Sequence, residues 1–89
     1  MIPKLECAEY AGEYTIRVKF ADGTEGDVDL SAELWGEVFE PLKKREVFRA
    51  FRLDRELNTV TWPTGADLAP EFLYEKASGR RDGSRRLAD

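Results

Sequence analysis

The sequence predicts an α+β domain: an antiparallel sheet of about four to five strands built from hairpins, with two to three short helices packed on one face. Three observations carry this. Short stretches of strict apolar–polar alternation are separated by turn-forming residues. A helical stripe in the middle of the chain is interrupted by Gly36 and Pro41. A third segment, headed by Pro70, has helical apolar spacing. One domain over residues 4–77 is expected, followed by a solvated, mobile, Arg-rich tail over 78–89.

The stretch "TIRVKF" places Ile16, Val18 and Phe20 on one face and Thr15, Arg17 and Lys19 on the other, which reads as a half-buried strand. "GDVDL" continues the pattern, Val28 and Leu30 inward and Asp27 and Asp29 outward. A two-residue turn at Asp22-Gly23 would set Phe20 opposite Glu25 and bring a charge to the core face. A three-residue loop, Ala21 to Gly23, avoids this, with Gly23 left-handed and completing a bulge. Ile16 then faces Val28, Arg17 faces Asp27 and Lys19 faces Glu25. Upstream, "KLECAEY" adds a strand through a turn near Gly12, with Leu5 and Cys7 on one face and Cys7 as a small core residue.

Leu34, Trp35, Val38, Phe39 and Leu42 follow a helical stripe. A short turn after Ser31 as N-cap is expected, then a helix opened by Pro41 and running through "LKKREVF". "FRLD" and "TVTW" form a second hairpin, Phe51 and Leu53 matching Val60 and Trp62 across the loop Arg55 to Asn58, with Asn58 left-handed. Pro63 cannot donate to a ladder, so the strand ends at Trp62. Thr64-Gly65 turns the chain, and Pro70 opens a helix whose apolar face is Leu68, Phe72, Leu73 and Ala77. Asp67, just ahead of that helix, reads as a capping carboxylate.

The chain contains no histidine and one cysteine. That removes Ser-His-Asp and Cys-His nucleophile activation, an internal disulfide and the usual zinc ligand sets. Carboxylates, Tyr and Lys remain for acid–base work, and Asp67 with Tyr74 is the pair an enzyme would use. Glu25, Asp27 and Asp29 line one strand face and suit a hard cation, but Arg17 and Lys19 stand opposite them, so cross-strand pairing is the expected role. No metal and no cofactor is expected. Residues 1–77 hold sixteen acids and ten bases, a balance of −6, and the segment from Ser78 holds four Arg and two Asp. An acidic body repels nucleic acid, so DNA reading by this chain alone is not expected. With neither a signal-peptide core nor an apolar run of ~18 residues, a cytoplasmic protein without membrane association is expected.

The succession "VKFADGTEGDVDLS", "GEVFEPLKKREVFRAFRLD" and "TVTWPTGADLAPEFLYE" resembles the bacterial domain of unknown function 2442 family over residues 5 to 75. The run Trp62, Pro63, Thr64, Gly65, Ala66, Asp67 with Leu73, Tyr74 and Glu75 is the specific part. The resemblance implies a small α+β domain around an antiparallel sheet, with no assigned reaction. It also implies an antitoxin-like partner of a small toxin-like protein encoded alongside. The resemblance implies a helix-turn-helix domain after this module in longer members, and with the Arg-rich tail in its place no such domain is expected here. The motif residues Trp62, Pro63, Gly65, Asp67, Leu73 and Tyr74 are expected to serve the fold.

The expected function is a non-catalytic interaction module for a basic protein. Trp35 is its candidate aromatic anchor, since Gly36 ends the turn there, although core packing competes for the ring. Asp27 and Asp29 supply the acidic face. The alternatives are a carboxylate enzyme built on Asp67 and Tyr74, or a ligand-sensing domain acting with a separate effector chain. A homo-oligomer stays open.

Overall fold

A computed structural model describes residues 2–79. The expected C-terminal tail falls almost wholly outside them. The fold is α+β, with strands β1 (Leu5–Tyr10), β2 (Thr15–Phe20), β3 (Glu25–Asp29), β4 (Arg52–Asp54) and β5 (Thr59–Thr61), and helices α1 (Arg45–Phe48) and α2 (Pro70–Ser78). Short 3-10 turns at Ser31–Glu33 and Glu40–Lys43 fill the long connection between β3 and α1.

The β2–β3 hairpin has the register that parity dictates. Ile16 pairs with Val28, Arg17 with Asp27 and Lys19 with Glu25, and Gly23 takes φ 94° in the three-residue loop. Ile16, Val18, Phe20 and Val28 are fully buried on the inner face. The outer pairing differs in one detail: Arg17 reaches both Asp27 (2.8 Å) and Glu25 (3.6 Å), so Lys19 is not Glu25's ion-pair partner.

The single sheet expected from the sequence is instead two, β1-β2-β3 and β4-β5. β4 lies beside β1, but a side chain makes the link at their ends. Asn58, left-handed at φ 58° in the β4–β5 loop, accepts the Leu5 N–H at 2.7 Å and donates to the Pro3 carbonyl at 2.9 Å. Its amide imitates a strand's backbone and satisfies the entry to β1, where a ladder would otherwise be needed. Leu53 pairs with Val60 across the expected loop.

Cys7 is exposed rather than in the core. The register shifts between Leu5 and Cys7, so that Leu5 opposes Phe20 while Cys7 opposes Lys19 on the outer face. Leu5 and Ala8 have opposite parity, and only an extra residue lets both turn inward.

The helix expected from Pro41 through Phe48 is also broken. Lys44 adopts φ −80°, ψ 122°, separating the 3-10 turn from α1. Leu42 and Phe48, both with no exposed surface, lie six residues apart, which on a continuous helix is about 120° of rotation between them. The extended Lys44 brings both to the core. Nor is Ser31 a cap: its own N–H donates to Asp29 Oδ1 at 2.9 Å, and the turn makes no side-chain cap bond.

The second half of the core is aromatic. Trp62 meets Phe48 with its ring tilted at 5.8 Å and Phe51 edge-on at 6.3 Å, and its Nε1–H donates to the Phe48 carbonyl at 2.8 Å. Thr59, a buried polar residue, donates its hydroxyl to the Leu68 carbonyl at 2.7 Å, which removes the cost of burying it. α2 then crosses the three-stranded sheet. Leu73 and Ala77 are buried, and Gly26, at an inward position of β3, lies directly beneath the helix. A Cβ there would stand 2.5 Å from the Ala77 carbonyl oxygen. A contact that close to backbone cannot be relieved by rotating a side chain. Gly26→Ala should therefore lose about 1–3 kcal/mol in urea unfolding by forcing α2 off the sheet; an unchanged midpoint would show that the helix rides higher than described.

Candidate functional site

Next to α2 lies a groove of about 340 Å³. Glu33, Trp35 and Phe39 line one wall, and Asp67, Leu68, Ala69 and Phe72 the other.

The first wall is shaped by a chain reversal. Leu34, after the 3-10 turn, takes φ −89°, ψ 62°, and the Trp35 N–H donates back to the Glu33 carbonyl at 3.0 Å, an inverse γ-turn. Leu34 drops into the core at 5% exposure. Gly36 follows at φ 87°, a conformation costly for any residue with a Cβ, and its carbonyl accepts the Glu40 N–H at 2.9 Å. Between a buried leucine and a reversing glycine, Trp35 is turned outward. It is 71% exposed, so the competing expectation of core packing does not hold. Val38 nearby is also exposed.

The second wall follows from the Trp62 turn. The Trp62 N–H donates to Ala66 and the Gly65 N–H to Trp62, both at 2.9 Å, and Thr61 bridges Asp67. The chain then runs extended through Ala69 to Pro70 at the first turn of α2. The expectation that Asp67 caps this helix is incorrect. The N-cap position is Ala69, with no side-chain cap bond, because the Thr61–Asp67 bridge holds Asp67 two residues too early. Its carboxylate is exposed and forms no hydrogen bond or ion pair among the described residues.

Trp62 and Leu73 are core, and Gly65 takes φ 100° in the turn that follows exposed Pro63. The Tyr74 hydroxyl donates to Asp22 Oδ2 at 2.6 Å and lies 3.4 Å from Thr24 Oγ1, while its ring meets Phe20 edge-on at 5.1 Å. Tyr74 thus fastens α2 to the β2–β3 loop. It does not line the groove with Asp67, so the acid–base pair suggested by the sequence is not assembled. Asp27 and Asp29 lie outside the groove as well. Asp27 accepts from Arg17 and Asp29 from the Ser31 N–H. The acids that accompany Trp35 are Glu33 and Asp67, a pairing of residues 33–39 with 67–72 that no local pattern announces. Among the described residues, no cluster of three or more carboxylate or thiol side chains converges as a metal site, and no helix is long and apolar enough to cross a membrane.

Two carboxyls are held below their ordinary range. Asp22 is lowered chiefly by the Tyr74 hydroxyl, then by the Thr24 N–H; Asp29 is lowered by Ser31 through its backbone and hydroxyl.

A family model described as "Protein of unknown function (DUF2442)" matches residues 7–79, most of the chain and nearly all of the fold above. The chain belongs to the DUF2442 family. No curated protein and no solved structure matches it. Within this DUF2442 fold the match covers both walls of the groove.

Two outcomes test the site's construction. Asp67→Ala should change unfolding free energy by less than about 0.5 kcal/mol, as for an exposed residue without partners; a loss near 1 kcal/mol would restore a structural role. A depressed folded-state pKa stabilises above the unfolded value and ceases to do so as pH falls through the folded value. Tyr74→Phe removes the main cause of the Asp22 shift, so it should flatten the fall of stability below pH ~4. Asp29's contribution to that fall should remain. Chemical denaturation between neutral and acid pH reads both.

Proposed function

We propose that this chain is a non-catalytic, antitoxin-like interaction module of the bacterial cytoplasm that binds a basic protein partner through the Trp35 groove. The observation that carries the reading is Trp35 itself, 71% exposed at the edge of an apolar groove. A small domain gains nothing in stability from a solvent-facing indole, whereas partly exposed aromatics supply much of the affinity at interfaces. The acidic composition of residues 1–77 favours a basic partner through encounter rate and specificity. The separation of Asp67 from Tyr74 argues against the enzyme alternative, because proton transfer needs groups within hydrogen-bond reach of one reacting atom.

The test starts with affinity capture from the source cell, followed by purification of the captured protein and calorimetric titration. Trp35→Ala should weaken binding by more than ~1 kcal/mol and leave the melting temperature nearly unchanged. Undiminished binding by the folded variant would reject the groove as the interface. A measurable turnover abolished by Asp67→Asn in a folded protein would replace the module with an enzyme.

A further inference from the structure

We infer that the Trp35 groove selects a short basic–apolar segment of its protein partner: an Arg or Lys side chain lies against Trp35, and a neighbouring aliphatic or aromatic side chain is inserted over Phe39 and Phe72. This rests on the reading of the groove as a partner-binding surface and specifies what that surface recognises.

The chemistry of the lining requires both halves of the ligand. Phe39, Leu68 and Phe72 make its apolar part, and its charged members are Glu33 and Asp67, both acidic. Several acids elsewhere on the described surface are engaged. Glu25 and Asp27 meet Arg17, Glu13 meets Arg45 and Glu40 meets Lys43, while Asp22 and Asp29 accept from Tyr74 and Ser31. Others, Glu6 and Glu37 among them, also stand without a hydrogen bond or ion pair among the described residues but do not line the groove. Neither Glu33 nor Asp67 has a hydrogen bond or an ion pair among the described residues, although both border an apolar surface. Lys76 on α2 holds its amine 5.7 Å from the Phe72 ring centroid and also draws on Asp29.

A wholly apolar ligand would cover two carboxylates without replacing their water, a costly burial. An acidic ligand, nucleic acid included, would add like charge to them. A guanidinium or ammonium group satisfies the carboxylates and is attracted to the face of an indole, the strongest cation–π acceptor among side chains. The apolar part still needs an apolar occupant to gain affinity. The volume, about 340 Å³, lies at the low end of the ~300–1,000 Å³ of ligand pockets, which suits one or two side chains of an extended segment.

The full-length 15N-labelled chain is titrated at low salt with three octapeptides in a common Gly-Ser frame, their centres being Arg-Arg-Leu-Phe, Gln-Gln-Leu-Phe and Arg-Arg-Ser-Ser. The Trp35 indole N–H is followed by NMR. The first peptide should move this signal with an affinity at least about tenfold tighter than either other peptide. Glu33→Gln combined with Asp67→Asn should cut that advantage to below about threefold without changing the Gln-Gln-Leu-Phe affinity. Equal affinities of the Arg-Arg-Leu-Phe and Gln-Gln-Leu-Phe peptides would overturn the selection for a cation and leave the binding-module reading standing. An unmoved indole with all three peptides would overturn the inference, and Trp35→Ala against the captured partner would still decide the module separately. A Trp35 shift on dilution alone, or in Arg85→Gln/Arg86→Gln without peptide, would overturn it in favour of a second copy or the chain's own C-terminal segment.

Discussion

The close seating of α2 on β3 at Gly26 is the constraint on which the rest of the molecule depends. Helices ordinarily stand off a sheet by the thickness of two layers of side chains, and the absent Cβ lets Ala77 approach backbone to backbone. That approach sets the height of the helix. It brings Leu73 fully into the core and carries Tyr74 over the β2–β3 loop, where its ring and hydroxyl find Phe20 and Asp22. It also determines where Phe72 emerges, and hence where the groove beside it opens. Fold and candidate site share this one contact.

The two sheets are held by different means. The β2–β3 hairpin is an ordinary antiparallel pair with an apolar inner face, stabilised by burial at roughly 25 cal/mol per Å². The β4–β5 pair is too short to stand alone. It is joined to the rest by the Asn58 amide on β1 and by the Trp62–Phe48 hydrogen bond and ring cluster. Tyr14, whose hydroxyl donates to the Lys43 carbonyl, and Arg45, paired with Glu13 at 3.1 Å, tie the β1–β2 turn to the segment around α1. Polar bonds that span many residues of sequence do here what ladder bonds do in a continuous sheet. The Asn58 and Trp62 bonds satisfy half-buried or buried groups that would otherwise be left unpaired on closure.

The segment from Ser31 to Phe39 answers to two demands. Leu34 must fill the core beneath it, and a chain that buries Leu34 through an inverse γ-turn, then reverses at Gly36, has no inward direction left for Trp35. Exposure of the indole is therefore built into the backbone rather than left to a rotamer. The adjoining carboxylates, Glu33 and Asp67, arrive from opposite ends of the fold. Asp67 is held by its own backbone bridge to Thr61, which leaves its side chain uncommitted. Within the motif Trp62–Asp67 the tryptophan is spent on the core and the aspartate is not. The same short run thus supplies both a structural anchor and a free charge at the groove.

Period and parity in the chain by themselves determined the α+β class, the register of both hairpins, the left-handed Gly23 and Asn58, and the start of α2 at Pro70. Each is a local consequence of which side chains can face inward and which φ a residue tolerates. Tertiary structure decided the rest. Leu5 and Ala8 can both reach the core only across a bulge, which turned Cys7 to solvent. Leu42 and Phe48 can both reach it only if the helix breaks at Lys44. The Thr61–Asp67 bridge kept Asp67 from its cap, and Asn58 stood where a continuous sheet would have needed a strand. Gly26 carries no signal of its role in the local pattern, and only the helix above it gives that glycine a purpose. The groove itself joins residues 33–39 to residues 67–72, two stretches far apart in sequence. No local periodicity encodes that meeting, because it is set by how two layers pack around one core.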